Sequence, residues 1–122
     1  MDIRKATAVK NIDGKYALAI FETDWQGLPQ NEPSVHFLIR VERKNGTHWW
    51  QWTPGWYVST LLESETKYTS DEKVPGLYID YGQDWFIPAG PISLAKDYFK
   101  QYLKGDREYD QKLADEIAKE NW

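Results

Sequence analysis

Apolar and polar positions alternate over three stretches of this chain, and a glycine-bearing turn splits each of them. The heaviest is VHFLIRVERKNGTHWWQW, residues 35–52. Alternation with period two sends successive side chains to opposite faces of a strand. Asn45-Gly46 tolerates positive φ, so a two-residue type I′ turn is expected there. That turn sets Val41 opposite Trp50 and Ile39 opposite Trp52 on one face, which reads as core. Glu42, Arg40, Trp49 and Gln51 take the other face. Asp13-Gly14 repeats the device between RKATAVKNI and KYALAIFET, with Val9 opposite Leu18 and Thr7 opposite Ile20. The reverse face then holds Ala6, Ala8, Ala17, Ala19 and Phe21, a mostly small surface that another layer can approach closely. Gly82-Gln83 divides LYIDY from DWFIP as a third, shorter hairpin pairing Ile79 with Phe86 and Asp80 with Trp85. Residues 23–34, TDWQGLPQNEPS, break every period with Gly27, Pro29 and Pro33 and read as a connection. After Pro54-Gly55 the run WYVSTLL resumes β character, and the polar residues 64–75 read as a mobile loop.

From Pro91 the period changes. Leu94, Ala95, Tyr98, Phe99, Tyr102 and Leu103 recur on one helical face, with Lys96, Asp97, Lys100 and Gln101 opposite. Pro91, Lys104 and Gly105 mark the ends of a helix over residues 91–104. A second, short helix is expected over about residues 110–119, using Leu113, Ala114, Ile117 and Ala118, with Asp110 as its N-cap. The expected fold is α+β: a twisted antiparallel sheet of about six strands built from hairpins, with one amphipathic helix on a face and a second short helix.

The 122 residues suit a single domain. Fifteen basic against 19 acidic residues give a net charge of -4 with no basic patch, which argues against nucleic acid. There is no cysteine and no apolar run of membrane-spanning or signal-peptide length, so a cytoplasmic protein without membrane contact is expected. Asn45-Gly46-Thr47 matches a glycosylation sequon but is explained by hairpin chemistry.

Candidate chemistry is sparse. His36 and His48 fall on different strands of the central hairpin, and Arg43 rather than His36 is expected opposite His48, which disfavours a two-histidine metal site. No phosphate-loop, nucleophile-elbow or dinucleotide fingerprint occurs, and no cofactor is expected. Asp80 and Asp84 flank a turn, where local hydrogen bonding explains them better than paired-carboxylate catalysis. The aromatic and acidic positions are more informative. Trp56 and Tyr57 end a strand beside a loop region containing Glu63, Glu65, Asp71 and Glu72, and Trp49 points away from the expected core. Acids steer a basic partner while a desolvated ring anchors it, so these seven residues form the expected protein-binding surface.

The stretch GLYIDYGQDWFIP, followed by Pro91-Ile92 and a helix with Ala95, Tyr98, Phe99 and Leu103, resembles the "immunity protein one" group of bacterial polymorphic-toxin systems. Gly105-Asp106-Arg107, the terminal Trp122 and the upstream Trp-bearing hairpin are similar to that family as well. The resemblance covers about half of the chain, and the charged segment EYDQKLADEIAKEN stands where the family has a short tail. It implies a non-enzymatic protein that binds and blocks a cognate toxin. The alternative from the residues is a small-molecule or carbohydrate-binding module using Trp49, Trp56 or Trp25.

Overall fold

The computed structural model describes residues 2–64, 67–68, 75–80 and 84–120, and in it the first half of the chain folds into a sheet in simple sequential order. Strands β1 (Ala8–Asn11), β2 (Tyr16–Thr23), β3 (Pro29–Glu42) and β4 (His48–Trp52) lie side by side and antiparallel. β5 (Trp56–Tyr57) pairs with β3 at Ser34 and Val35, on the edge that β4 has left. A short helix α1 (Val58–Glu63) follows. β6 (Lys67–Tyr68), β7 (Pro75–Asp80) and β8 (Asp84–Pro88) make a second antiparallel sheet, and α2 (Ala89–Leu103) and α3 (Gln111–Glu120) close the chain. The architecture is α+β, as the change of hydrophobic period predicts. No helix among the described residues is long and apolar enough to cross a membrane.

The main sheet is covered on both faces. On the first, Leu18, Ile20, Val35 and Phe37 pack against Val58 and Leu61 of α1 and against Ile92, Ala95, Tyr98, Phe99 and Tyr102 of α2. On the second, Val9, Ala17, Ala19, Leu38 and Trp50 pack against Leu113, Ala114 and Ile117 of α3. The small side chains of Ala17 and Ala19 admit α3, as the alanine-rich face led one to expect, whereas Ala8 belongs to the first face. On α2, Ile92 is buried while Leu94 and Leu103, expected in its apolar stripe, are exposed.

Each hairpin is one residue out of the register that a two-residue turn implies. Arg43 N–H donates to Thr47 O and Gly46 N–H to Arg43 O, with Gly46 at φ +85°. The loop is therefore Lys44-Asn45-Gly46, a β-turn closed by a left-handed glycine. Val41 lies opposite Trp49, Arg40 opposite Trp50, Leu38 opposite Trp52, and Glu42 rather than Arg43 opposite His48. Trp50 and Trp52 consequently share a face with Leu38 and Arg40, and Ile39 and Val41 share theirs with Trp49 and Gln51. In the first hairpin Val9 faces Ala19 and Ala8 faces Ile20. In the third Ile79 faces Trp85 and Asp80 faces Asp84, with the tip, residues 81–83, outside the described residues.

Three connections also differ from expectation. Asp24 Oδ1 accepts from the backbone N–H of Gln26 and of Leu28, and Gly27 takes φ +87°, so residues 24–28 make a tight turn and β3 begins at Pro29. The run WYVSTLL gives two strand residues and then turns helical at Val58. Lys67–Tyr68, expected in a loop, pair with β7, while residues 65–66 and 69–74 lie outside the described residues.

Both sheet edges are tied down by the C-terminal segment. Val9 N–H donates to Glu108 O and Asp110 N–H to Val9 O along β1. Glu120 accepts the backbone N–H of Trp50 on β4 at 2.8 Å, and Glu116 pairs with His48. Asp110 caps α3 by accepting from Leu113 N–H at 3.0 Å, the expected N-cap.

Candidate partner-binding site

α3 covers the second sheet face over β1, β2 and β4 but stops short of the first half of β3, and the candidate site lies there. The break between β4 and β5 builds it. Thr53 donates through both its backbone N–H and its Oγ1 to Phe37 O, which holds the chain against β3 as regular pairing ends. Thr53 O accepts from His36 Nδ1 at 2.8 Å. A carbonyl can only accept, so Nδ1 carries the proton and Nε2 is left as an acceptor. Burial pushes the His36 pKa below its ordinary value, which keeps the ring neutral near pH 7. The ring packs edge-on against Phe21 and Trp52, with centroids 5.8 and 5.4 Å away. Gly55 passes over its other side, where a Cβ would fall 2.6 Å from both Cε1 and Nε2. Only glycine permits that approach.

β5 then resumes pairing and places two aromatics on opposite faces. Trp56, opposite Val35, packs half-buried on the first core cluster, whereas Tyr57, opposite Ser34, is 53% exposed on the second face. Tyr57 gives α1 no side-chain cap, and Glu32 supplies one from β3 by accepting Ser59 N–H at 3.0 Å. Between these elements runs a groove of about 400 Å³, lined by Gln30, Ser34, His36, Gly55, Trp56, Tyr57 and Thr60. Gln30 folds back along β3, its Nε2 donating to Phe21 O at 3.1 Å and to Ser34 Oγ at 3.0 Å. Its Oε1 and one lone pair of Ser34 Oγ stay open as acceptors.

The residues expected from the sequence divide into three groups. Trp56, Tyr57 and Glu63 come together on β5 and α1, with Glu63 exposed at the helix end and Trp56 turned inward. Trp49 pairs with Val41, seven residues along β3 from the partner of Tyr57, or about 23 Å away at the usual strand rise. Glu65, Asp71 and Glu72 lie outside the described residues. Gln30, Ser34 and His36 were not among the expected site residues. Their signal is the alternation Gln30, Glu32, Ser34, His36, which is hidden once residues 23–34 are read as a connection.

Two further exposed apolar side chains lie in the turn between β2 and β3. Trp25 is 77% exposed and Leu28 58% exposed in the turn that leads into β3. Phe21 joins the two places, lining the shallow hollow beside Trp25 and touching His36. Among the described residues, no group of three or more His, Asp or Glu side chains is placed to hold a metal ion. Comparison with protein-family models, curated proteins and solved structures gave no match.

Proposed function

We propose that this chain is an immunity-type protein that neutralises a cognate protein toxin by binding it, and that the contact is made at the end of the sheet around Tyr57, His36 and the 24–28 turn. The observation that carries the reading is that exposed Tyr57 beside the groove is linked, through His36 and Phe21, to the hollow beside exposed Trp25. A lone exposed apolar residue means nothing, but exposed aromatics beside two connected hollows suit a partner surface, where aromatic anchors supply most of the binding energy. Glu63 at the rim and a net charge of -4 favour a basic partner. The family resemblance of the C-terminal half supports the same reading.

The test is to look for a toxin domain encoded by a neighbouring gene and to express it with and without this chain. The expected result is protection from the toxin and a stable complex in vitro. Tyr57→Ala is expected to weaken that complex about tenfold or more, as for an interface anchor, while the fold persists because Tyr57 is exposed. A complex indifferent to Tyr57, Trp25 and Leu28 places the interface elsewhere. Saturable sugar binding that quenches Trp25, with no toxin binding, supports the carbohydrate module instead.

A further inference from the structure

Resting on that reading, we infer that the groove between β3 and β5 receives an arginine side chain of the protein partner, its guanidinium stacked on Tyr57 and donating to acceptors on β3. Among the described residues the lining contains no Lys or Arg; His36 Nε2 and Gln30 Oε1 are acceptors, and the hydroxyls of Ser34, Tyr57 and Thr60 can accept as well as donate. His36 Nε2 is an acceptor because Thr53 O holds the ring proton on Nδ1. Gln30 spends its amide nitrogen on Phe21 O and Ser34 Oγ, which leaves Oε1 and the second Ser34 lone pair open. Such a site suits a cation with several N–H groups. Glu32, between Gln30 and Ser34 in sequence and bound to Ser59 N–H at the start of α1, adds negative charge at the rim.

Two features favour arginine over lysine. Tyr57 lies directly opposite Ser34, so its exposed ring stands beside the acceptors as a flat surface, and a planar guanidinium stacks on such a ring while donating in its own plane. The lining is also neutral. A carboxylate is usually needed to strip a compact, strongly hydrated ammonium, whereas guanidinium is weakly hydrated and its donors fan out to separate acceptors.

The experiment is a titration of the full chain with N-acetyl-arginine amide, followed by NMR at the His36 and Tyr57 ring protons, with N-acetyl-lysine amide as the control. Saturable shifts at both rings with the arginine probe are expected, together with an affinity for the lysine probe about tenfold weaker. Tyr57→Leu, a change at an exposed site, should lower arginine affinity by a similar factor. His36→Gln should lower it while leaving the Tyr57 ring in place. The inference is overturned by absence of saturable shifts, by equal response to the two probes, or by arginine binding that Tyr57→Leu leaves unchanged. These outcomes are separable from the toxin test. A toxin domain that binds through Tyr57 while the arginine probe is silent removes the guanidinium and keeps the interface. A probe that saturates without any toxin binding keeps the cation site and removes the immunity reading.

Discussion

His36 shows how one side chain can set both a local structure and a pH response. Its ring is wedged between Phe21, Trp52 and the backbone at Gly55, and its proton is committed to Thr53 O. Burial lowers its pKa, so the folded chain resists protonation there while the unfolded chain takes up a proton near the ordinary value of about 6.5. The stabilising contribution is therefore complete above that pH. It falls as pH drops through it, and levels off once the folded form is protonated too. Urea unfolding at several pH values should show less of this acid loss in His36→Gln than in the parent; identical pH dependence would assign the loss to other groups. Trp50 gives a second test at this scale. It is 2% exposed and packs with α3, so Trp50→Ala should destabilise by about 3–5 kcal/mol, and the half-buried Trp49 should lose much less when truncated. Trp50→Phe keeps most of the ring and removes an indole N–H that is buried without a partner among the described residues, so it should fall well below the alanine change. Denaturant titration ranks the three. The burial of Trp50 was legible in the sequence, but the identity of its neighbours was not.

At the scale of elements, strand identity was readable and register was not, for a physical reason. Asp-Gly and Asn-Gly announce a hairpin in either loop length, because a left-handed glycine serves a three-residue loop as well as a two-residue turn. Hydrophobic pattern normally arbitrates, since a slip of one residue turns a strand's apolar set toward water. Here it cannot arbitrate. β3 carries Phe37 and Leu38 side by side, both fully buried, because each sheet face has its own helix. The same double burial makes Ala17 and Ala19 necessary, since α3 lies where larger side chains would stand. Ala19→Leu should force α3 outward and destabilise by about 1–3 kcal/mol, despite adding apolar volume. Amide exchange in residues 111–120 should quicken more than in residues 89–103. Equal quickening of both helices would mean that α3 is not the element the new side chain displaces.

For the molecule as a whole, the C-terminal segment closes much of what the hairpins leave open, and among the described residues the proposed contact falls on what it leaves uncovered. The chain crosses from the first sheet face to the second around β1, pinned by Val9 to Glu108 and Asp110 and by Arg107, whose guanidinium pairs with Glu22 at 2.9 Å and covers the Tyr102 ring. α3 then occupies the second face as far as β4, with Glu120 on Trp50 N–H. The open remainder is the first half of β3 with β5 and the neighbouring turn. A binding surface confined to that end and flanked by Glu32 and Glu63 makes a specific kinetic prediction for the proposed complex. Acidic side chains attract a basic partner before contact, so reversing Glu63 to lysine should slow association more than it speeds dissociation. Salt screens such attraction over about 8–10 Å at 0.1–0.15 M, so the gap between parent and variant should narrow as ionic strength rises. Glu32 is excluded from the reversal because it caps α1, and its loss would confound steering with folding. Stopped-flow association with the toxin domain at low and high salt measures both quantities. A variant that associates as fast as the parent at low salt would show that Glu63 does not steer the encounter, leaving the exposed rings to define the surface.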